Sequence, residues 1–164
     1  MDFSITFRPI EDRDSQFLYD VYVSTREDEL SATGWPESQK QAFLKQQFAA
    51  QHTYYTQTFT NARFNVILKN SQPIGRLYLD ERDDEIRIID IALLPGSRGQ
   101  GIGSGILRDI LADAAGKTKC VRIHVEQYNP AMRLYQRLGF RKTDLHGVYH
   151  LMEWQPHAGD GVRT

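Results

Sequence analysis

Apolar and polar residues alternate with a period of two in "FSITFRPI", the mark of a half-buried strand, and the alternation stops near Pro9. Asp12 or Asp14 can then cap a helix carrying Phe17, Leu18, Val21 and Tyr22 at spacings of one, three and four. "SATGWPESQ" reads as a loop, with Pro36 suited to the first turn of a second helix whose apolar stripe is Phe43, Leu44, Phe48 and Tyr55. "FNVILKNSQPIGRLYLDERDDEIRIIDIALLP" holds three strand-like runs separated by "NSQP" and "ERDD", both rich in turn formers, which predicts an antiparallel meander. From Gly101 the residues Ile102, Ile106, Leu107, Ile110 and Leu111 recur at helical spacing as far as Gly116. "KCVRIHVE" returns to strand alternation, "NPAMRLYQRLG" is a short helix from near Pro130 to Gly139, and "FRKTDLHGVYHLMEW" closes as a hairpin around His146 and Gly147.

The predicted order is β-α-α-β-β-β-α-β-α-β-β, an α+β fold with a single mixed, mostly antiparallel sheet flanked by helices. With no repeat and no dividing linker, residues 1–155 read as one domain and 156–164, which lack periodicity, as a flexible tail. A chain of 164 residues with 40% apolar and 25% charged side chains supports one ordinary core. The net charge of −1 supplies no long-range field toward nucleic acid or an anionic membrane. The only cysteine, Cys120, has no partner for an internal disulfide and reads as a small packed hydrophobe. No apolar run approaches the roughly 18 residues of a membrane span, and the start lacks the flank and block of a signal peptide, so the expected location is cytoplasmic. No cluster of His, Cys, Asp or Glu has metal-ligand spacing, and no metal is expected.

The stretch "DIALLPGSRGQGIGSGIL" places five glycines in the ten positions from Gly96 to Gly105, between the last strand of the meander and a helix. A strand, a glycine-rich turn and a helix start together aim unpaired backbone N–H groups at an anion such as a phosphate. A dinucleotide-type G-x-G-x-x-G fails, since the sixth position is Ser104, Ile106 or Arg108 in the three possible frames. A P-loop fails because no lysine follows these glycines. R-x-x-G-x-G does fit, as Arg98, Gly101 and Gly103, and resembles the pyrophosphate loop of the GNAT superfamily of acyl-coenzyme A-dependent N-acetyltransferases. Downstream, "HVEQYNPAMRLYQRLGF" is similar to that superfamily's second hallmark, an Asn-Pro-Ala start, a Leu-Tyr pair and a Gly-Phe end. The resemblance covers Ile86 to Phe140.

Position by position, the resemblance implies that Ile91, Ala92 and Leu93 offer strand backbone groups to the pantetheine arm of acetyl-CoA. Gly99, Gln100, Gly101, Ile102, Gly103 and Ser104 would wrap the pyrophosphate, with Arg98 near the phosphates and Asn129 touching the coenzyme. Tyr135 would stand by the thioester sulfur as a proton donor, against the plainer reading of its ring as core. The acidic position some relatives use as general base is His124 here, with Asp90 and water as competitors; His124 shares a strand face with Arg122 and Glu126. Trp35 and Glu29, and Tyr149 and His150, are candidates for the acceptor pocket. The implied activity is acetyl transfer to a primary amine of a small molecule or peptide by direct attack in a ternary complex. Such proteins often pair, so a homodimer is compatible with the resemblance. The alternative from another class is a non-catalytic acyl-CoA sensor or scaffold.

Overall fold

The computed structural model describes residues 3–156. Its elements are β1 (Ile5–Pro9), α1 (Ser15–Ser24), α2 (Glu27–Ser31), α3 (Glu37–Thr58), β2 (Arg63–Lys69), β3 (Gln72–Glu81), β4 (Glu85–Leu93), α4 (Ile102–Gly116), β5 (Cys120–Glu126), α5 (Met132–Arg137), β6 (Arg141–His146) and β7 (Tyr149–Trp154). Seven strands form one sheet in the order β1-β2-β3-β4-β5-β7-β6. β4 and β5 run parallel, because α4 carries the chain back between them; β1 with β2, β5 with β7 and β6 with β7 run antiparallel. The sequence pattern anticipated this order apart from α2. A five-residue helix with Leu30 as its one buried residue leaves no periodicity to read. The tail expected at 156–164 lies, after Pro156, outside the described residues.

The chain divides into two compact units, one holding the segment up to Leu77 together with Ile91–Arg98, the other Tyr78–Asp90 and the segment from Gly99 onward. β3 and β4 each pass from one to the other. In the first unit, Tyr22, Leu30 and Leu44 form a buried cluster with Tyr19, Val23, Trp35 and Phe48 packed on it. Arg8 donates two hydrogen bonds of 2.8 Å to the Asp14 carboxylate, which also accepts the Glu11 N–H at 2.7 Å and so ties β1 to the start of α1. The Arg8 guanidinium holds the Asp14 carboxyl at about 2.

In the second unit α4 buries Ile102, Ile106, Leu107, Ile110, Leu111 and Ala114 and packs on β5, whose Val121, Ile123 and Val125 are buried. Arg122, between them on the strand, belongs to a polar network. Arg122 donates to Glu85 and, at 3.1 Å, to Glu153, while Arg82 donates to the same buried Glu85 at 2.7 Å. Cys120 is buried, its Sγ 3.6 Å from the Asp84 carbonyl, and burial pushes its thiol up. No helix among the described residues is long and apolar enough to cross a membrane.

Within the first unit, β3 and the end of β4 approach so closely that a Cβ on Gly75 would lie 2.2 Å from the Ala92 carbonyl oxygen, next to the 2.8 Å bond from the Leu94 N–H to the Ile74 carbonyl. A backbone neighbour cannot yield as a flexible side chain does. Gly75→Ala is therefore expected to destabilise the fold by about 2 kcal/mol or more, in the range of overpacking. Gly105→Ala in α4, where a Cβ meets nothing within 4 Å, is expected to stabilise by up to about 1 kcal/mol. Urea denaturation of the two variants checks the contrast, and equal midpoints would contradict the close approach.

Candidate active site

After β4 the chain makes a single 3-10 turn, Pro95–Ser97, and then the glycine-rich bend. Gly99 has φ +73° and Gly101 φ +83°, both in the left-handed region where a side chain is strained. Gly101 is the N-cap of α4, and the first bond within the helix runs from the Gly105 N–H to the Gly101 carbonyl at 3.0 Å. The amides of Ile102, Gly103 and Ser104 therefore have no acceptor inside the helix, and they sit at the positive end of its 15-residue dipole. A Cβ at Gly99 or Gly101 would point into open space, so φ and not crowding selects glycine there. These groups suit a diphosphate: they are amides with no acceptor inside the helix, at the positive end of its dipole.

Asn129 and Tyr135 lie in the same unit as this loop. The Asn129 Oδ1 accepts the Ala131 N–H at 2.8 Å and its carbonyl accepts the Met132 N–H at 3.0 Å, which starts α5 and leaves the carboxamide NH2 as a donor. Tyr135 is buried, its ring edge-on to Phe140 at 5.7 Å. Desolvation, reinforced by the Asp90 carboxylate, pushes its phenol up to about 12, so it stays protonated through the neutral range.

His124 is exposed on β5, its Nδ1 3.4 Å from Arg87 Nη1 and its Nε2 3.0 Å from His146 Nδ1. Burial, the Arg87 charge and His146 lower its pKa from the ordinary histidine value. Ile91, Ala92, Leu93 and Arg98 belong to the first unit. There the Arg98 Nε donates to the Leu93 carbonyl at 2.9 Å and its Nη2 to the Ser24 hydroxyl at 3.2 Å, so the guanidinium ties the end of β4 to the end of α1. Trp35 packs edge-on against Phe43 and Glu29 pairs with Arg26 at 2.7 Å. A groove of about 470 Å³ on α1 and α3, lined by residues such as Tyr19, Gln41 and Lys45, contains none of the expected site residues. Among the described residues no group of His, Cys, Asp or Glu is arranged to hold a metal ion.

Residues 15–140 match the family model described as "Acetyltransferase (GNAT) family". The chain belongs to the GNAT acetyltransferase family. It is 28% identical over 85 residues to a [ribosomal protein bS18]-alanine N-acetyltransferase of Haemophilus influenzae, a match over 51% of this chain and 58% of that protein. The fold is similar to that of the PaiA N-acetyltransferase of Thermoplasma acidophilum in complex with coenzyme A, at TM-score 0.69 and 18% identity over 93% of this chain and 99% of that one. It is also similar to the ribosomal-protein-S18-alanine N-acetyltransferase of Escherichia coli, at TM-score 0.62 and 17% identity over 98% and 100% of the two chains. Another GNAT structure with this fold, from Elizabethkingia anophelis, has acetyl-CoA bound (TM-score 0.56, 18% identity, 92% of this chain and 97% of that one).

The pattern of the sequence did not bring Arg87, Asp144 and His146 to His124. Asp144 and His146 are two apart on a strand and so share a face, but their neighbour follows only from β7 lying between β5 and β6.

The loop geometry makes a direct prediction. At coenzyme A a hundredfold above its Kd, the wild-type GNAT domain should gain about 2.7 kcal/mol against thermal unfolding. Gly101→Val, which puts a β-branched residue at φ +83°, should lose that protection while keeping its far-ultraviolet spectrum. Melting curves with and without coenzyme A read both, and a protected variant would contradict the placement of the diphosphate.

Proposed function

We propose that this GNAT chain transfers the acetyl group of acetyl-CoA to a primary amine by direct attack. The observation that carries the reading is the bend at Gly99 and Gly101, which sets unpaired amides at the start of α4. The amides of Gly99–Ser104 take the diphosphate, the backbone of Ile91–Leu93 takes the pantetheine arm, and the Asn129 carboxamide donates to the coenzyme. Arg98 serves the coenzyme indirectly in this reading, by fixing the Leu93 carbonyl and with it the course of the β4 end.

Acetyl-CoA supplies an activated carbonyl, so the protein needs no covalent intermediate and works chiefly by holding the amine close to it. The amine nitrogen forms its bond to the carbonyl carbon, an N–H near Leu93 stabilises the oxyanion, and the C–S bond breaks. His124, held neutral at pH 7, accepts the amine's proton at its bare nitrogen. Tyr135 faces the sulfur. A phenol at about 12 and a thiol at about 8.5 differ by some 3.5 units, or about 5 kcal/mol against full transfer in the resting environment. Its contribution is therefore a hydrogen bond to the developing thiolate, which grows as the same desolvation makes the sulfur more basic. The relatives named as alanine N-acetyltransferases make a peptide amino terminus the first acceptor to try.

Thiol release from acetyl-CoA across an alanine-initiated peptide, a polyamine and lysine tests the reaction; coenzyme binding without turnover on any amine favours the sensor. On the amine that reacts, Tyr135→Phe should lower kcat by about tenfold or more with coenzyme affinity held. An equal loss in both would make the ring a packing element only.

A further inference from the structure

Four side chains form one chain of hydrogen bonds across the polar face of the second unit. Arg87 Nη1 on β4 lies 3.4 Å from His124 Nδ1, His124 Nε2 lies 3.0 Å from His146 Nδ1, and His146 Nε2 lies 2.9 Å from Asp144 Oδ2 on β6. The register explains the alignment: His124 pairs with Leu151 of β7, which pairs with Asp144 on its other side. A guanidinium has donors and no acceptor, so His124 Nδ1 must be the bare nitrogen and its hydrogen must sit on Nε2. That hydrogen makes His146 Nδ1 an acceptor and places the second ring's hydrogen on Nε2, where the Asp144 carboxylate accepts it. With both rings neutral, no other pair of tautomers satisfies all three contacts.

The charges around the chain give it a direction. Arg122 is engaged by Glu85 and Glu153 on its two sides, whereas Arg87 has its Nε buried without a hydrogen-bond partner among the described residues. Glu126 flanks His124 on its own strand, and β7 presents Tyr149, Leu151 and Glu153 in the same alternation. A proton arriving at His124 Nδ1 meets the Arg87 cation. Moved to His146, the same charge meets the Asp144 carboxylate, which the Leu145 N–H and His146 already hold below the usual range.

We propose that His146 and Asp144 are positioning residues that relay the acceptor amine's proton away from His124. The proposal rests on the reading of His124 as the base. The amine displaces the 3.4 Å contact of Arg87 at His124 Nδ1, the amine N–H bond breaks as its proton bonds there, the N–H bond at His124 Nε2 breaks, and that proton bonds to His146 Nδ1. His146 becomes an imidazolium paired with Asp144 and releases a proton to water, its side chain being 50% exposed and that of Asp144 62%. Exchange with water at the exposed rings restores the starting tautomers. The positive charge thus leaves the vicinity of Arg87 for that of a carboxylate before the next turnover.

Ring nitrogen NMR on histidine-labelled protein, as wild type, His146→Phe and Asp144→Asn, tests the chain without any substrate. The wild type should show His124 as the Nε2–H tautomer at pH 7; His146→Phe should keep that tautomer, which Arg87 sets, but shift the His124 Nε2–H resonance as its acceptor is lost, and Asp144→Asn should shift the His146 Nε2–H resonance in the same way. A wild-type Nδ1–H tautomer, or a His124 signal indifferent to His146→Phe, overturns the relay. With acetyl-CoA and an alanine-initiated hexapeptide, both β6 variants should lower kcat by about tenfold and diminish the solvent isotope effect, with KM for acetyl-CoA unchanged. A slow His124→Gln beside β6 variants of wild-type rate overturns the relay alone, whereas an undiminished His124→Gln overturns the base and the relay together. Circular dichroism confirms that each variant is folded.

Discussion

The first turn of an α-helix has amide hydrogens that no carbonyl of the same helix can accept, and in this chain that turn is left open at the start of α4. Everything the family resemblance asks of the coenzyme site depends on that constraint. The chain meets it by turning through two left-handed glycines, at φ +73° and +83°, so that Ile102, Gly103 and Ser104 open the helix with amides that have no acceptor inside it. A side chain at either glycine would meet no neighbour and would still be strained, so the sequence cost falls on backbone conformation alone.

The two units solve different problems. The first fixes the end of β4 from both sides, by the close approach at Gly75 and by the Arg98 guanidinium on the Leu93 carbonyl. The second buries an apolar face of β5 beneath α4 and gives Arg122 of the same strand two carboxylate partners. Glu85 is buried with two arginines, while Arg87 keeps a buried nitrogen without an acceptor among the described residues. The Arg87 cation beside His124 disfavours its imidazolium form, which suits the role of base proposed for it.

Much of this was legible in the chain because the strongest signals were local. The apolar spacing from Ile102 to Leu111 and the glycines before it specify α4 and its bend without reference to any other segment. Asn129 and Tyr135 stand out as candidates because they hold fixed offsets within one short motif. The helix at Glu27–Ser31 was not legible, since one buried leucine cannot declare a period. Nor was the hydrogen bond of Arg98 to Leu93, for which the R-x-x-G-x-G spacing left the direction of the side chain open. The partners of His124 depend on β7 being inserted between β5 and β6, a pairing between distant segments that alternation along a single strand does not encode.

The role proposed for the backbone amides at the start of α4 is to hold the coenzyme diphosphate. Titrating coenzyme A into nitrogen-labelled protein and following the amide resonances tests it most directly. The Ile102, Gly103 and Ser104 amides should move furthest, in the direction of hydrogen bonding to an anion. A well-dispersed spectrum in which these three resonances stay fixed at saturating coenzyme A would contradict it.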